Sequence, residues 1–366
     1  MPSRFLSIQR AAYKVAYAAI TALLTSIVFL IFIIKPGVNG YERAMFKDMV
    51  YGKAYKPFVY RTLLPGTVRL ITSALPADIR TSISQSDLNI PNWEQEFLTE
   101  YLVASILMCA SLVGFGLAIR YLFNGIFHAP ARFVDLVSLA AIACLPFFFK
   151  YYSYIYDFPT LFLFTLGLGL MVRCKWPQFL ILFLIACLNK ETAILLTLMF
   201  AIYFWGRRDL VNRMLFTRLL FCQLGIFLLI RMGIVWNFRN NPGSSLEFHL
   251  FDHNFMLLLQ PYSLSALFVV LGLTLLIFYK WSEKPLFLKR GLWMLVPLVA
   301  AALFFGYIDE LRDYYEVYPI LLLLIAHSVG NIVGLEIVTT IPSVRTLPSF
   351  SLLKGMDLPK VVPADK

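Results

Sequence analysis

The chain has 366 residues, of which 60% are hydrophobic and only 14% charged, and its mean hydropathy is +0.74. Soluble domains carry about a quarter charged residues, so this balance excludes an ordinary soluble domain and predicts a polytopic membrane protein. The net charge of +11 fits the Lys and Arg that collect on the cytoplasmic side during insertion; no RNA- or DNA-binding signature accompanies it, so no nucleic-acid partner is expected.

The apolar blocks are long and lack strand-like alternation, which predicts an all-α chain rather than an outer-membrane barrel. The first block follows Arg4, Arg10 and Lys14 and runs over 15–34. It is long for a signal-peptide core and has no small-x-small cleavage pattern after it, so it reads as a retained anchor. Further spans are expected near 98–119, 133–149, 158–172, 177–188, 192–206, 215–236, 262–279, 292–308 and 318–338, about ten in all. The fourth and fifth are short and only "RCKWP" divides them, the pattern of segments that end within a protein-lined cavity. Residues 1–340 form one transmembrane domain in this reading, and 341–366 a cytoplasmic tail.

Between the first two spans lies a long loop, 35–97, too aromatic to read as disordered. "YERAMFKDMVYG" predicts an amphipathic helix along the interface, and "YRTLLPGTVRLITSALP" another interfacial or re-entrant piece. With the N-terminus inside, Arg120, Arg132, Arg173, Lys175, Arg207, Arg208, Lys280 and Lys289 all fall on the inner side. Both termini are then cytoplasmic, and the polar motifs face outward. The five cysteines are odd in number and form no C-x-x-C pair, so buried thiols are expected rather than disulfides or zinc ligands.

Several outward motifs offer chemistry. In the first loop, Glu42 and Asp48 are either a base for an acceptor hydroxyl or surface partners of Arg43 and Lys47. Arg61 either grips a phosphate with its planar donor fork or snorkels. Asp157, ahead of Phe158-Pro159, has the pattern of an N-cap and is also a carboxylate at membrane depth. In "LNKET", Asn189 reads as a cap and Glu191 suits the positive helix end, whereas Lys190 does not. An anion, from a neighbouring side chain or a ligand phosphate, is expected to offset Lys190. In "DELRDYYEVYP", helical spacing puts Asp309, Arg312, Asp313 and Glu316 on one face, either as a solvated cap with Glu310 or with Arg312 reaching an anion. "LEFHLFDHNF" places His249 and His253 at a metal-binding spacing beside Glu247 and Asp252 but lacks a third firm ligand. A divalent metal is therefore the one cofactor with candidate residues. Arg231 and His327 lie within spans, the first expected to snorkel and the second to be satisfied in the bundle.

"GYERAMFKDMVYGKAYKPFVYRTLLP", "YDFPTLFLF", "LNKETAILL" and "ELRDYYEVYP" together resemble the GT-C class of membrane glycosyltransferases, and also bacterial polytopic membrane proteins similar to that class. The resemblance implies an extracytoplasmic active face in the plasma (inner) membrane. The implied donor is a polyprenyl-phosphate-linked sugar, and the acceptor a glycan, lipid or protein. It assigns Glu42 or Asp48 as the base, Arg61, Lys190 and Arg312 to the lipid phosphate, and Asp157, Glu191 and Glu310 to orienting these groups or the sugar. One departure stands out: the class places an Asp at or just before the position of Tyr41, where this chain has Asn39 and Gly40. The alternatives are a polysaccharide polymerase or lipid-linked glycan transporter, which would show repeated halves with paired broken helices, and a non-catalytic membrane scaffold whose outward charges pair only with one another.

Overall fold

A computed structural model describes residues 2–88, 90–261 and 263–340, so the expected tail at 341–366 lies outside the described residues. The described residues are all-α apart from one two-residue antiparallel pairing of β1 (Phe127–His128) with β2 (Val338–Thr339). Helix α1 is Pro2–Ile34. The first loop holds α2 (Phe46–Val50), α3 (Leu63–Ala74) and α4 (Ala77–Ser84). There follow α5 (Leu98–Ile126), α6 (Ala131–Ala143), α7 (Asp157–Val172), α8 (Trp176–Asn189), α9 (Ile194–Phe204) and α10 (Arg213–Asn237). The last group is α11 (Phe255–Leu258), α12 (Leu264–Phe278), α13 (Leu286–Gly291), α14 (Leu295–Phe305) and α15 (Tyr318–Ile332).

Each of the ten apolar segments coincides with a helix. Five of the helical stretches are long and apolar enough to cross a membrane: Ala11–Ile34, Gln95–Ile126, Ala131–Phe148, Arg213–Asn237 and Leu286–Phe305. The other five apolar helices, α7, α8, α12, α15 and the stretch Glu191–Phe204, are shorter. At 1.5 Å per residue, the 16 residues of α7 reach about 24 Å and the 14 of α8 about 21 Å, short of a ~30 Å hydrocarbon core. α7 is almost wholly buried and α8 buries half of its residues, which reduces the length over which they meet lipid. α7 packs along α5 on one side and α8 on another. Gly169 makes the first contact close, since a Cβ there would lie 2.6 Å from the Tyr121 ring.

The first loop is ordered around one residue that the motif comparison marked as a departure. Asn39 Oδ1 accepts the Phe46 N–H at 2.8 Å, and its amide donates to the Asn92 carbonyl and the Tyr101 hydroxyl. Its polar groups are therefore engaged in holding the start of α2 against the 90–101 segment, where Trp93 stacks on Tyr101 with ring centres 4.6 Å apart. The interfacial helix expected over 41–52 is in fact a 3-10 turn, Glu42–Ala44, followed by the five-residue α2. The second expected piece is a full helix, α3, which buries Leu64, Pro65, Val68 and Thr72. All five cysteines are free, but only Cys174 and Cys187 are buried; Cys109 and Cys144 are half-buried and Cys222 is exposed on α10.

Candidate functional site

Tyr152, Tyr154 and Tyr156 precede α7 and form one wall of a cavity of about 410 Å³. The first loop, the α8–α9 turn, the last part of α10, residues 245–249 and residues 305–313 supply the rest. Arg61, Lys190 and Arg312, drawn from three separate loops, all face it. Each is fixed by its surroundings. Arg61 lies over the Tyr156 ring at 4.4 Å, Tyr156 stacks on Tyr154 with planes 7° apart, and Arg312 lies over Tyr154 at 4.1 Å. Stacked planes of this kind hold guanidinium groups in a set orientation and exclude water from one face.

Each of the three cations also has a carboxylate. Arg61 pairs with Glu191 at 2.8 Å and also donates to the Tyr156 hydroxyl. Arg312 pairs with Glu310 at 2.5 Å and lies 3.7 Å from Asp157. Lys190 pairs with Glu316 at 3.1 Å. The anion expected to offset Lys190 is therefore present within the chain. Glu316 has 0% exposure and Lys190 only 8%, and Thr192 donates to the same Glu316 oxygen. Removing one partner of a buried pair strands the other charge. We expect Glu316→Ala to destabilise the fold by about 3–5 kcal/mol, seen as a lowered thermal midpoint in detergent. The double change Lys190→Met, Glu316→Leu should recover most of that loss.

The cavity is lined by four cations, Arg61, Lys190, Arg231 and Arg312, and four carboxylates, Glu191, Glu247, Glu310 and Asp313. Glu247 is held by Arg43 at 2.8 Å, and the pairs above engage most of the others. Two groups have no partner of opposite charge at ion-pair distance among the described residues. Arg231 lies over the Tyr60 ring at 5.5 Å and makes a 3.5 Å hydrogen bond to the Tyr60 carbonyl. Asp313 makes no side-chain hydrogen bond or ion pair with any described residue. It lies against Gly306, where a Cβ would stand 2.6 Å from its Oδ2. Burial pushes the Asp313 carboxyl up to about 6, Glu310 and Glu316 add to the rise, and Arg312 and Lys190 oppose it. A carboxyl that titrates near neutrality in a cleft is suited to proton transfer.

Several expected placements differ. Glu42 is exposed, Asp48 is half-buried within α2, and neither lines the cavity. Asp157 is the first residue of α7 rather than its N-cap. Its Oδ2 accepts the Tyr154 N–H at 3.0 Å and so fixes the turn that carries the tyrosines. Asn189 does not cap a following helix; it ends α8 and donates to the Tyr156 carbonyl and to Thr160 Oγ1 at 2.8 Å, tying α8 to α7. The shared helical face expected over 309–316 is absent because Leu311–Tyr314 is a 3-10 turn. The charges diverge accordingly: Asp309 turns to Lys150, Tyr151 and His253. Burial pushes the Asp309 carboxyl up, but those hydrogen bonds outweigh it and hold the group down at about 2.

His249 and His253 do not converge. His249 turns to Asp252 at 3.1 Å, with Glu247 at 3.6 Å, whereas His253 meets Asp309 at 3.1 Å. Among the described residues no group of three or more His, Cys, Asp or Glu side chains could hold a metal ion. Arg231, expected to snorkel, instead faces the cavity from within α10. His327 is buried in the bundle with Asn331 beside it. The chain matches no protein-family profile, no curated protein and no solved structure.

Proposed function

We propose that the protein is a membrane glycosyltransferase that moves a sugar from a polyprenyl-phosphate carrier to an acceptor hydroxyl on the extracytoplasmic face. The observation that carries this reading is the meeting of a cation, Arg231, and a carboxyl, Asp313, neither ion-paired to a described residue, in one aromatic-walled cavity with Arg61, Lys190 and Arg312. Aromatic faces and fixed carboxylates suit a sugar, whose C–H faces pack on rings and whose hydroxyls donate to carboxylates. A cation free of a carboxylate partner suits the phosphate of the carrier. The cavity lies toward the helix ends opposite Arg120, Arg132, Arg173, Lys175, Arg207 and Arg208, and this distribution of basic residues supports an outward-facing cavity.

In this mechanism Asp313 takes the proton from the acceptor hydroxyl as its oxygen bonds to the anomeric carbon. The bond from that carbon to the phosphate oxygen breaks, and the electron pair leaves on the polyprenyl phosphate, which Arg231 receives with Lys190 and Arg61 nearby. Glu191 and Glu310 hold Arg61 and Arg312 in place, and Asp157 braces the tyrosine wall, so these three position rather than react. The base role moves from Glu42 and Asp48 to Asp313 because a general base must come within hydrogen-bond reach of its proton.

The direct test is transfer by the purified chain, in detergent with a panel of polyprenyl-phosphate sugars and with hydroxyl acceptors of glycan, lipid and peptide type. One donor should be consumed with release of polyprenyl phosphate, and Glu42→Gln and Asp48→Asn should retain at least about half of wild-type turnover, as expected for residues away from the reacting groups. Movement of an intact lipid-linked glycan across a vesicle bilayer, without release of polyprenyl phosphate, would instead favour a transporter.

A further inference from the structure

A second and larger cavity, of about 810 Å³, opens at the far end of the molecule between α1, α5 and α6. Lys14, which lines it, stands twenty residues before Ile34, about 30 Å of helix rise from the end of α1 that leads into the first cavity. All three helices belong to stretches long and apolar enough to cross a membrane, and the cavity runs along the first half of α1, the second half of α5 and the start of α6. α1 exposes Val15, Ile20 and Leu23 beside it, the surface of a helix that meets acyl chains.

Among the described residues the charged lining is mainly basic, with Lys14, Arg120 and Arg132 against one acid, Asp135. Asp135 is itself engaged: Arg120 pairs with it at 2.8 Å and the Tyr13 hydroxyl donates to it at 2.7 Å. Arg120 is further held over the Tyr17 ring at 4.7 Å, and the Tyr17 hydroxyl meets Ser138 Oγ at 3.0 Å. This internal network leaves Lys14 and Arg132 as two cations without a hydrogen bond or ion pair to any described residue, both exposed at the mouth. Below them the trough is apolar, lined by Ala18, Ala22, Val113 and Leu117.

Two free cations above an apolar trough at the end of a membrane-crossing bundle complement a molecule with an anionic head and a hydrocarbon tail. We propose that this cavity binds an anionic phospholipid of the adjoining leaflet, its phosphate between Lys14 and Arg132 and one acyl chain along Ala18, Ala22, Val113 and Leu117. The site is independent of the glycosyltransferase reading, and either can fail without the other.

The test is the thermal midpoint of the full chain in a neutral detergent with short-chain phosphatidylglycerol, short-chain phosphatidylcholine or inorganic phosphate added. Phosphatidylglycerol should raise the midpoint by about 3 °C or more, and the other two should leave it unchanged. Lys14→Gln with Arg132→Gln should abolish the rise while the lipid-free midpoint stays at the wild-type value. Ala22→Trp, which fills the trough and keeps both cations, should abolish it too. An equal rise with phosphatidylcholine, a rise with inorganic phosphate alone, or a rise that survives both variants would overturn the proposal.

Discussion

Asp313→Asn should reduce sugar transfer by about 10²–10⁴-fold, the usual contribution of a positioned general base, while leaving the fold intact. The wild-type rate should climb as pH rises through about 6, where the carboxyl ionises, and then level off. The residual rate of the Asn variant should lack that limb. A second consequence separates catalysis from structure. An ordinary Asp titrates near 3.9, and Asp313 is held above that value in the fold. The folded chain therefore binds the proton more tightly than the unfolded one. Its stability contribution is full below about pH 4 and is lost as pH rises through 6. Near neutrality the ionised group is a burden on the fold, so Asp313→Asn should raise the thermal midpoint at pH 7.5 while sharply reducing transfer. That pairing, more stable and less active, is expected of a group kept for its chemistry. Near-wild-type transfer by this variant would remove Asp313 from the mechanism. A lowered midpoint would make its role structural.

The parts of this arrangement that were legible in the sequence are those fixed by local pattern. Apolar runs without alternation became helices because in a membrane the backbone must satisfy its own hydrogen bonds, and each of the ten segments is helical. The gathering of Arg61, Lys190 and Arg312 followed from placing their loops on one side. The illegible parts depended on local geometry that spacing does not fix. The segment 309–316 suggested an α-helical face, but Gly306 and the 3-10 turn after it send Arg312 to Glu310 and Asp157, and Glu316 back to Lys190. Asp313 is thereby left with a free carboxyl. Glu42 and Asp48 appeared promising by resemblance, but α2 is only five residues long and buries Phe46, Met49 and Val50, leaving both acids off the cavity wall. The departure at Asn39 carried more information than it showed: its side chain is occupied in building the loop.

Arg231 was the least legible of all, since a lone Arg in an apolar helix is most simply read as snorkelling to the interface. It lies six residues before the end of α10, about 9 Å of helix rise. The other three cavity cations already hold carboxylates at ion-pair distance and Arg231 holds none, so in the proposed reaction Arg231 is the cation left to receive the carrier phosphate. Phosphate charge grows as the sugar departs, and a preorganised donor that meets it should act more strongly in the transition state than on the bound donor. Arg231→Ala should therefore lower kcat/KM for the polyprenyl-phosphate sugar by about 10²–10³-fold, with the larger share in kcat. Arg231→Lys should recover only part, because an ammonium restores the charge but not the planar fork. Affinity for a phosphate-free acceptor should not change. Were Arg231→Ala to raise the KM of acceptor and donor alike with kcat intact, the residue would be shaping the cavity wall and the leaving phosphate would have to be received elsewhere.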